Sequence, residues 1–131
     1  MEETELLRHL ELVSIPLRRL GADLMPEAVA SGCLVDYSGM RILLTVAHAT
    51  GDMGNWAVEV AFENGRGTKC YKLGAMHFLK TGSLLTGDIR DVDLAYVEVP
   101  CDLQPRYQRL DAQGQLELDM PRTVLTPAFE A

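Results

Sequence analysis

Hydrophobic and polar residues alternate along several short stretches of the chain, as they do in half-buried β-strands. The clearest case places Trp56, Val58, Val60 and Phe62 on one face, with alanine and glutamate between them. A strand of this kind buries one face and leaves the other in contact with solvent. The alternation therefore predicts that the core of the protein lies against a β-sheet.

Two apolar runs, 29–37 and 41–47, flank the dipeptide Ser38-Gly39. A two-residue connection of this composition is typical of a β-hairpin. The second run is apolar at consecutive positions, which predicts a strand buried on both faces. Further extended stretches cover residues 12–19, 68–75 and 94–99. About six short strands separated by turns predict an all-β fold, either a small antiparallel barrel or a sandwich.

Outside these strands the pattern changes. Residues 4–12 carry leucines at helical spacing, and the glutamates before them suit the positive end of a helix dipole, so a short N-terminal helix is predicted. Residues 77–91 contain two glycines and little periodicity, which indicates a long loop. Residues 102–131 contain three prolines and weak patterning, typical of a linker, with one more strand expected at Thr123–Leu125.

Composition narrows the class of protein. The chain has 131 residues, enough for one domain, and a net charge of −7, which argues against a nucleic-acid partner. Three cysteines at positions 33, 70 and 101 form no Cys-x-x-Cys pair, so neither a zinc site nor a disulfide framework is indicated. The acidic N-terminus does not resemble a signal peptide, and no apolar run is long enough to span a membrane. A cytoplasmic protein without membrane association is expected.

Two residues stand out as candidates for catalysis. His48 closes one apolar strand, and Asp93 opens another. A histidine that acts as a general base needs a carboxylate to hold its second ring nitrogen, and strand ends beside a cleft suit both groups. Each residue alone is more often structural, since histidines follow many buried strands and aspartates begin many turns. Asp91 is the main alternative to Asp93 as the orienting acid.

The other candidates are weaker. His77 has no neighbours at metal-ligand spacing, and His9 belongs to the helical segment, so both are interpreted as structural or surface residues. Asp88, Asp91 and Asp93 do not complete a calcium-loop pattern. No metal and no cofactor are therefore predicted. Cys33 and Cys70 have no local base in the sequence and are interpreted as buried thiols.

The amino-acid sequences of the two candidate motifs support the interpretation of His48 and Asp93 as catalytic candidates. Ser31–Tyr37 (SGCLVDY) and Arg41–His48 (RILLTVAH), followed by Asp93-Leu94-Ala95, resemble the first barrel of trypsin-like (chymotrypsin-fold) serine proteases. In that family a small residue and a glycine precede an apolar strand, and the next strand ends in Thr-Ala-Ala-His. An Asp-Ile/Leu-Ala motif follows later. Val46 replaces the first alanine here. The resemblance covers residues 12–101.

The resemblance implies a six-stranded antiparallel Greek-key-type barrel, one half of the double-barrel fold, with a short helix at 1–11 before it. Residues 12–101 would form the barrel, and 102–131 a linker towards a second barrel. It implies that His48 is the general base and that Asp93 orients it. The nucleophilic serine would belong to the second barrel, because no serine here stands in a Gly-x-Ser-x-Gly setting. The substrate of the complete enzyme would be a polypeptide.

The chain also departs from the family. Secreted members often carry a cysteine directly after the histidine, where this chain has Ala49, and Cys33 has no evident partner. That agrees with an intracellular member without disulfides. The 30 residues after Cys101 are too few to build a second barrel, so the 131-residue chain alone is expected to be inactive.

Two alternatives stay open on the sequence. The half-barrel could be a non-catalytic interaction module or a pseudoprotease, which would bind a partner or self-associate through the face that a second barrel normally covers. The chain could also be an unrelated small β-barrel in which the histidine and the aspartate occur by chance.

Overall fold

A computed structural model describes residues 2–20, 26–46, 55–63, 67–83 and 88–127. It contains one helix and ten strands in the order α1 Glu3–Val13, β1 Ile15–Leu20, β2 Pro26–Tyr37, β3 Met40–Thr45, β4 Asn55–Glu63, β5 Gly67–Lys72, β6 His77–Ser83, β7 Asp88–Val99, β8 Arg106–Leu110, β9 Leu116–Pro121 and β10 Val124–Leu125. The predicted all-β class and the short N-terminal helix are confirmed. No helix among the described residues is long and apolar enough to cross a membrane.

The strands form one large sheet and one separate hairpin. The large sheet has the order β5-β4-β1-β2-β3-β7-β6, and β8 pairs with β9 alone. All of these neighbours are antiparallel. Among the described strands, only β10 runs parallel to its partner, β2, where Val124 pairs with Leu34 just beyond the first residue of β1. In this position β10 takes up the edge of β2 that β1 leaves uncovered.

The two outermost strands of the large sheet are neighbours along the chain. β5 ends at Lys72 and β6 begins at His77, so four residues connect the two edges. Within the described residues no hydrogen-bonded pairing joins β5 to β6, and the sheet is open there. Leu73 in this connection is buried, and its N–H donates to the carbonyl of Trp56, 2.8 Å away. The connection is therefore packed against the sheet.

The core lies on one face of the large sheet. Ile15, Leu17, Leu34, Leu43 and Val58 are completely buried there. The dense apolar pattern of β2 and β3 explains why they occupy the centre of the sheet, where a strand has neighbours on both sides.

The hairpin between β2 and β3 turns as its sequence predicts. Ser38 and Gly39 both have positive φ angles, 52° and 78°. A two-residue turn with both angles positive matches the right-handed twist of the flanking strands. Across the hairpin, Arg41 donates to both carboxylate oxygens of Asp36, at 2.8 and 3.0 Å, and this hydrogen bonding lowers the pKa of Asp36 below its ordinary value.

The structure differs from the predicted loop at 77–91. Residues 77–83 form β6, and β7 begins at Asp88. β6 is an edge strand whose backbone pairs with β7, and such pairing requires no alternation of side chains. The absence of periodicity in the sequence therefore did not exclude a strand.

The segment after Cys101 also contains more structure than a linker pattern indicates. It forms the β8–β9 hairpin and β10, and only β10 matches a predicted strand. Leu103 and Pro105 are buried, and the carbonyl of Leu103 accepts a 2.8 Å bond from Arg41 Nη1. The segment is thus attached to the large sheet.

Helix α1 has no buried residue and is held by polar contacts with this segment. The ring of Tyr107 lies between the guanidinium groups of Arg8 and Arg122, 5.6 and 5.2 Å from its centroid. The Tyr107 hydroxyl donates to Glu11 Oε2 at 2.7 Å, and this bond raises the pKa of the tyrosine. Cation–π and charge-assisted contacts of this kind hold the helix where apolar burial does not.

Candidate functional site

The end of β3 lies beside the middle of β7, which spans Asp88–Val99, so the prediction that Asp93 opens a strand is wrong. Thr45, the last residue of β3, pairs with Ala95 on β7. Asp93 lies on β7 two residues before Ala95 and is exposed. His48 follows Thr45 by three residues in the sequence and lies outside the described residues. Because β3 and β7 are antiparallel, β7 extends past Ala95 to Asp93 in the direction in which β3 ends.

The pairing of β7 is irregular at Asp93. On its other side, Phe78 of β6 pairs with Ala95, but Lys80 pairs with Asp91. One residue of β6 therefore faces three residues of β7, and Asp93 is the middle one. A β-bulge releases a strand from regular pairing and turns the side chain at that position. Asp93 therefore lies at a register irregularity between β6 and β7.

The Ser-Gly motif has a packing role beside this end of the sheet. Gly32 pairs with Thr45, and a Cβ atom at Gly32 would lie 2.7 Å from the carbonyl oxygen of Leu44. Thr45 is buried, and its hydroxyl donates to the carbonyl of Ser31 at 2.7 Å. The glycine permits the close approach of the two strands, and the bond to Ser31 gives the buried hydroxyl of Thr45 a partner.

Replacing Gly32 by Ala is expected to reduce the free energy of unfolding by about 1–3 kcal/mol, because the added methyl group collides with backbone that cannot move freely. Gly74→Ala is the matched control, since a Cβ atom there meets no heavy atom within 4 Å. It should leave stability unchanged or slightly raised. Chemical denaturation of both variants measures the difference, and equal stabilities would contradict the packing role of Gly32.

A cleft of about 470 Å³ opens between α1 and this end of the sheet. Its lining is mainly apolar and includes Leu10, Val13, Leu44 and Leu94. Cys33 also lines it, and burial raises the pKa of its thiol. A raised pKa keeps the thiol protonated near neutral pH, which makes Cys33 a poor nucleophile. The cleft therefore offers an apolar surface beside the candidate motifs.

The remaining histidines have other places. His77 stacks on Tyr96, its cross-strand partner, with ring centroids 5.1 Å apart. His9 lies on the exposed surface of α1. Within the described ranges, no three His, Cys, Asp or Glu side chains are grouped so as to hold a metal ion. All three cysteines are free thiols.

Sequence reasoning missed a second group of polar residues. One pocket, formed by β1, β4 and β8, is lined by Arg18, Arg106 and Arg122. Up to 104 positions separate these arginines in the chain. No motif connects residues so distant in sequence, and only the docking of the β8–β9 hairpin on the large sheet brings them together.

Comparison with protein-family models, with curated proteins and with solved structures gave no match.

Proposed function

We propose that this chain is the N-terminal barrel of a trypsin-like serine endopeptidase, with His48 as the general base and Asp93 as the acid that orients it. The observation that carries the proposal is the pairing of Thr45 with Ala95. It joins the strand of the Thr-Val-Ala-His motif to the strand of the Asp-Leu-Ala motif, and both motifs lie at one end of the pair.

The length of the intervening chain supports this pairing of roles. His48 is three residues from Thr45, and Asp93 is two residues from Ala95. An extended chain spans at most about 3.5 Å per residue, so the two residues are tethered within a short distance of the paired Thr45 and Ala95. The register of β6 against β7 shifts at Asp93, and a bulge of this kind re-aims a side chain out of the regular alternation of a sheet.

The strand order supports the six-stranded Greek-key barrel. β4, β1, β2 and β3 lie side by side in that order, which is the spatial order of a Greek key. If β5 and β6 are two halves of one bent strand, the four residues between them connect the open edges of the sheet. The path then contains six strands and closes on itself.

In the complete enzyme, His48 would take the proton of a serine hydroxyl as that oxygen attacks a peptide carbonyl, and would then give the proton to the leaving amine. Asp93 would hold the imidazole in the correct tautomer and stabilise the imidazolium. The serine and the oxyanion-hole amides would come from a second barrel, since this sequence contains no Gly-x-Ser-x-Gly motif. The substrate would be a polypeptide, and no cofactor takes part.

A non-catalytic interaction module is the second candidate function. It is favoured by the leucines of α1, because Leu6, Leu7 and Leu10 are each about half exposed, beside an apolar cleft. The same surface could support self-association. The reading frame downstream of Ala131 separates the two functions: a Gly-x-Ser-Gly-Gly segment supports the protease, and a stop codon supports the module.

The contact between His48 and Asp93 can be tested on the chain itself. A carboxylate beside an imidazole favours its charged form, so Asp93→Asn should lower the pKa of His48, making proton binding about tenfold weaker. NMR titration of the histidine ring signals measures this, with His48→Gln to assign the signal. Asp91→Asn is the matched control and should have a smaller effect. A pKa of His48 that does not respond to Asp93→Asn would refute the assignment.

A further inference from the structure

A pocket of about 250 Å³ lies between the outer face of the large sheet and the β8–β9 hairpin. Arg18 and Glu59 line it from β1 and β4, and Arg106 and Gln108 line it from β8. Arg122, just after β9, completes this side of the pocket. Arg18 is next to buried Leu17 in a strand and so points away from the core. The pocket is therefore separate from the apolar interior.

Arg122 is held by backbone carbonyl groups of the described residues. Its Nη1 donates to the carbonyls of Glu11 and Ser14 at 2.8 Å, and its Nε donates to the carbonyl of Arg106 at 3.3 Å. Within the described part of the chain, its guanidinium forms no ion pair with a carboxylate. Carbonyl oxygens hold the guanidinium in place but do not neutralise its positive charge. Partial burial disfavours this charge and lowers the pKa of Arg122.

The other two arginines are each engaged by one carboxylate. Arg18 forms an ion pair with Glu59, and Arg106 Nε contacts Asp119 Oδ1 at 2.9 Å. Among these described residues two acids, Glu59 and Asp119, stand against three arginines, which leaves an excess of one positive charge. This local excess of positive charge occurs in a chain whose net charge is −7. General surface composition therefore does not explain it.

Neutral hydrogen-bond donors add to the pocket. Gln108 Oε1 accepts a 2.7 Å bond from the N–H of Phe62, which directs the two hydrogens of its Nε2 elsewhere. Among the described residues, none accepts a bond from that nitrogen. The hydroxyl of Thr68 also belongs to the lining. An acceptor with several oxygen atoms could use these donors together with the guanidinium groups.

We propose that this pocket binds an oxyanion, a phosphate or carboxylate group carried by a small molecule. Planar guanidinium groups match the oxygens of both anions, and charge-assisted bonds are the strong ones. The volume exceeds the roughly 30 Å³ that a water molecule occupies in the liquid several-fold, which leaves room for a phosphate group. β2 and β3 separate β1, with Arg18, from β7, with Asp93, so the pocket does not depend on the proposed protease function.

The test is titration of the 131-residue protein with inorganic phosphate at constant ionic strength, followed by amide NMR signals of Phe62, Thr68 and Gln108. Saturating shifts with a dissociation constant of about 1 mM are expected, the range of a weak small-anion site. Acetate and pyrophosphate in separate titrations distinguish a carboxylate site from a phosphate site. Saturation by any one of them supports the pocket and identifies its preferred anion.

Three variants locate the site. Arg106→Gln should weaken binding at least about fivefold, since charge-assisted hydrogen bonds are stronger than neutral ones. Glu59→Gln should strengthen it several-fold, because it removes the acid and releases Arg18. Arg109→Gln is the matched control: Arg109 lies on the same strand, pairs with Glu117 at 3.3 Å and does not line the pocket. Arg122 also holds α1, so it is left intact.

Shifts that grow linearly without saturation for every anion would overturn the proposal, because they indicate only screening of surface charge. An Arg109→Gln variant that weakens binding as much as Arg106→Gln would also overturn it. So would a Glu59→Gln variant that binds more weakly than the original protein.

Discussion

Replacing Asp93 by Asn in the complete protease is expected to lower kcat by about 10⁴-fold. The NH2 end of an amide at this position would donate a hydrogen bond to Nδ1 of His48, where the carboxylate accepts one from Nδ1–H, and so would favour the wrong tautomer. The imidazolium that forms during attack would also lose its balancing charge. Steady-state peptide hydrolysis by the longer product of the reading frame measures the effect. The substrate's KM should change much less than kcat, because Asp93 acts on the base and not on the bound peptide.

Asp91→Asn is the control for this loss. It removes one negative charge two positions away in the same strand, so it matches the change in net charge. A loss of activity equal to that of Asp93→Asn would show that the orienting role had been assigned to the wrong residue. Inhibitor-sensitive peptidase activity from the pure 131-residue chain would contradict the proposal more directly, because the chain supplies no nucleophilic serine motif.

Replacing Leu73 by Ala is expected to lower the free energy of unfolding by about 2–3 kcal/mol. Leu73 is 7% exposed and belongs to the main core, although it lies outside every strand. Truncation removes buried methyl groups and leaves a cavity beside Trp56, another member of that core. Since domains of this size are stable by only about 5–15 kcal/mol, chemical denaturation should resolve the change.

Lys72→Ala provides the matched comparison, since Lys72 is the neighbouring residue and is exposed. It should change stability by no more than about 0.5 kcal/mol. If both variants were equally stable, the connection between β5 and β6 would be a solvated loop. The proposal that these strands are two halves of one bent strand would then lose its support.

The elements that the sequence predicted well are those formed by local interactions. The Ser38-Gly39 turn requires positive φ angles that its own residues adopt, and α1 follows from leucines and glutamates within three turns. β6 and β8 were missed because hydrophobic and polar residues do not alternate regularly in their sequences. β9 was also missed, although Leu116, Leu118 and Met120 alternate with Glu117 and Asp119. Leu110 and Leu116 are about half exposed, so the hairpin buries no continuous face.

In the candidate site, too, some residues could be identified from the sequence, and the roles of others needed the structure. The sequence motifs identify His48 and Asp93 as candidates for catalysis. Ser31, Gly32 and Thr45 only match the motifs of the family, and the sequence gives them no role of their own. The structure supplies the reason for the last three, because Gly32 allows β2 to approach β3, and Thr45 bonds to Ser31 across the gap. The bulge at Asp93 could not be predicted, since it depends on how β6 pairs with β7.

The sequence by itself determined the all-β class, the helix, the central hairpin and the two residues proposed for catalysis, because short-range periodicity and turn chemistry are written in neighbouring residues. Only the tertiary structure decided the order of the strands, the packing of Leu73 and the meeting of Arg18, Arg106 and Arg122. These features arise from contacts between residues far apart in the chain. Their free energy depends on which surfaces are buried together, and a local pattern does not record that choice.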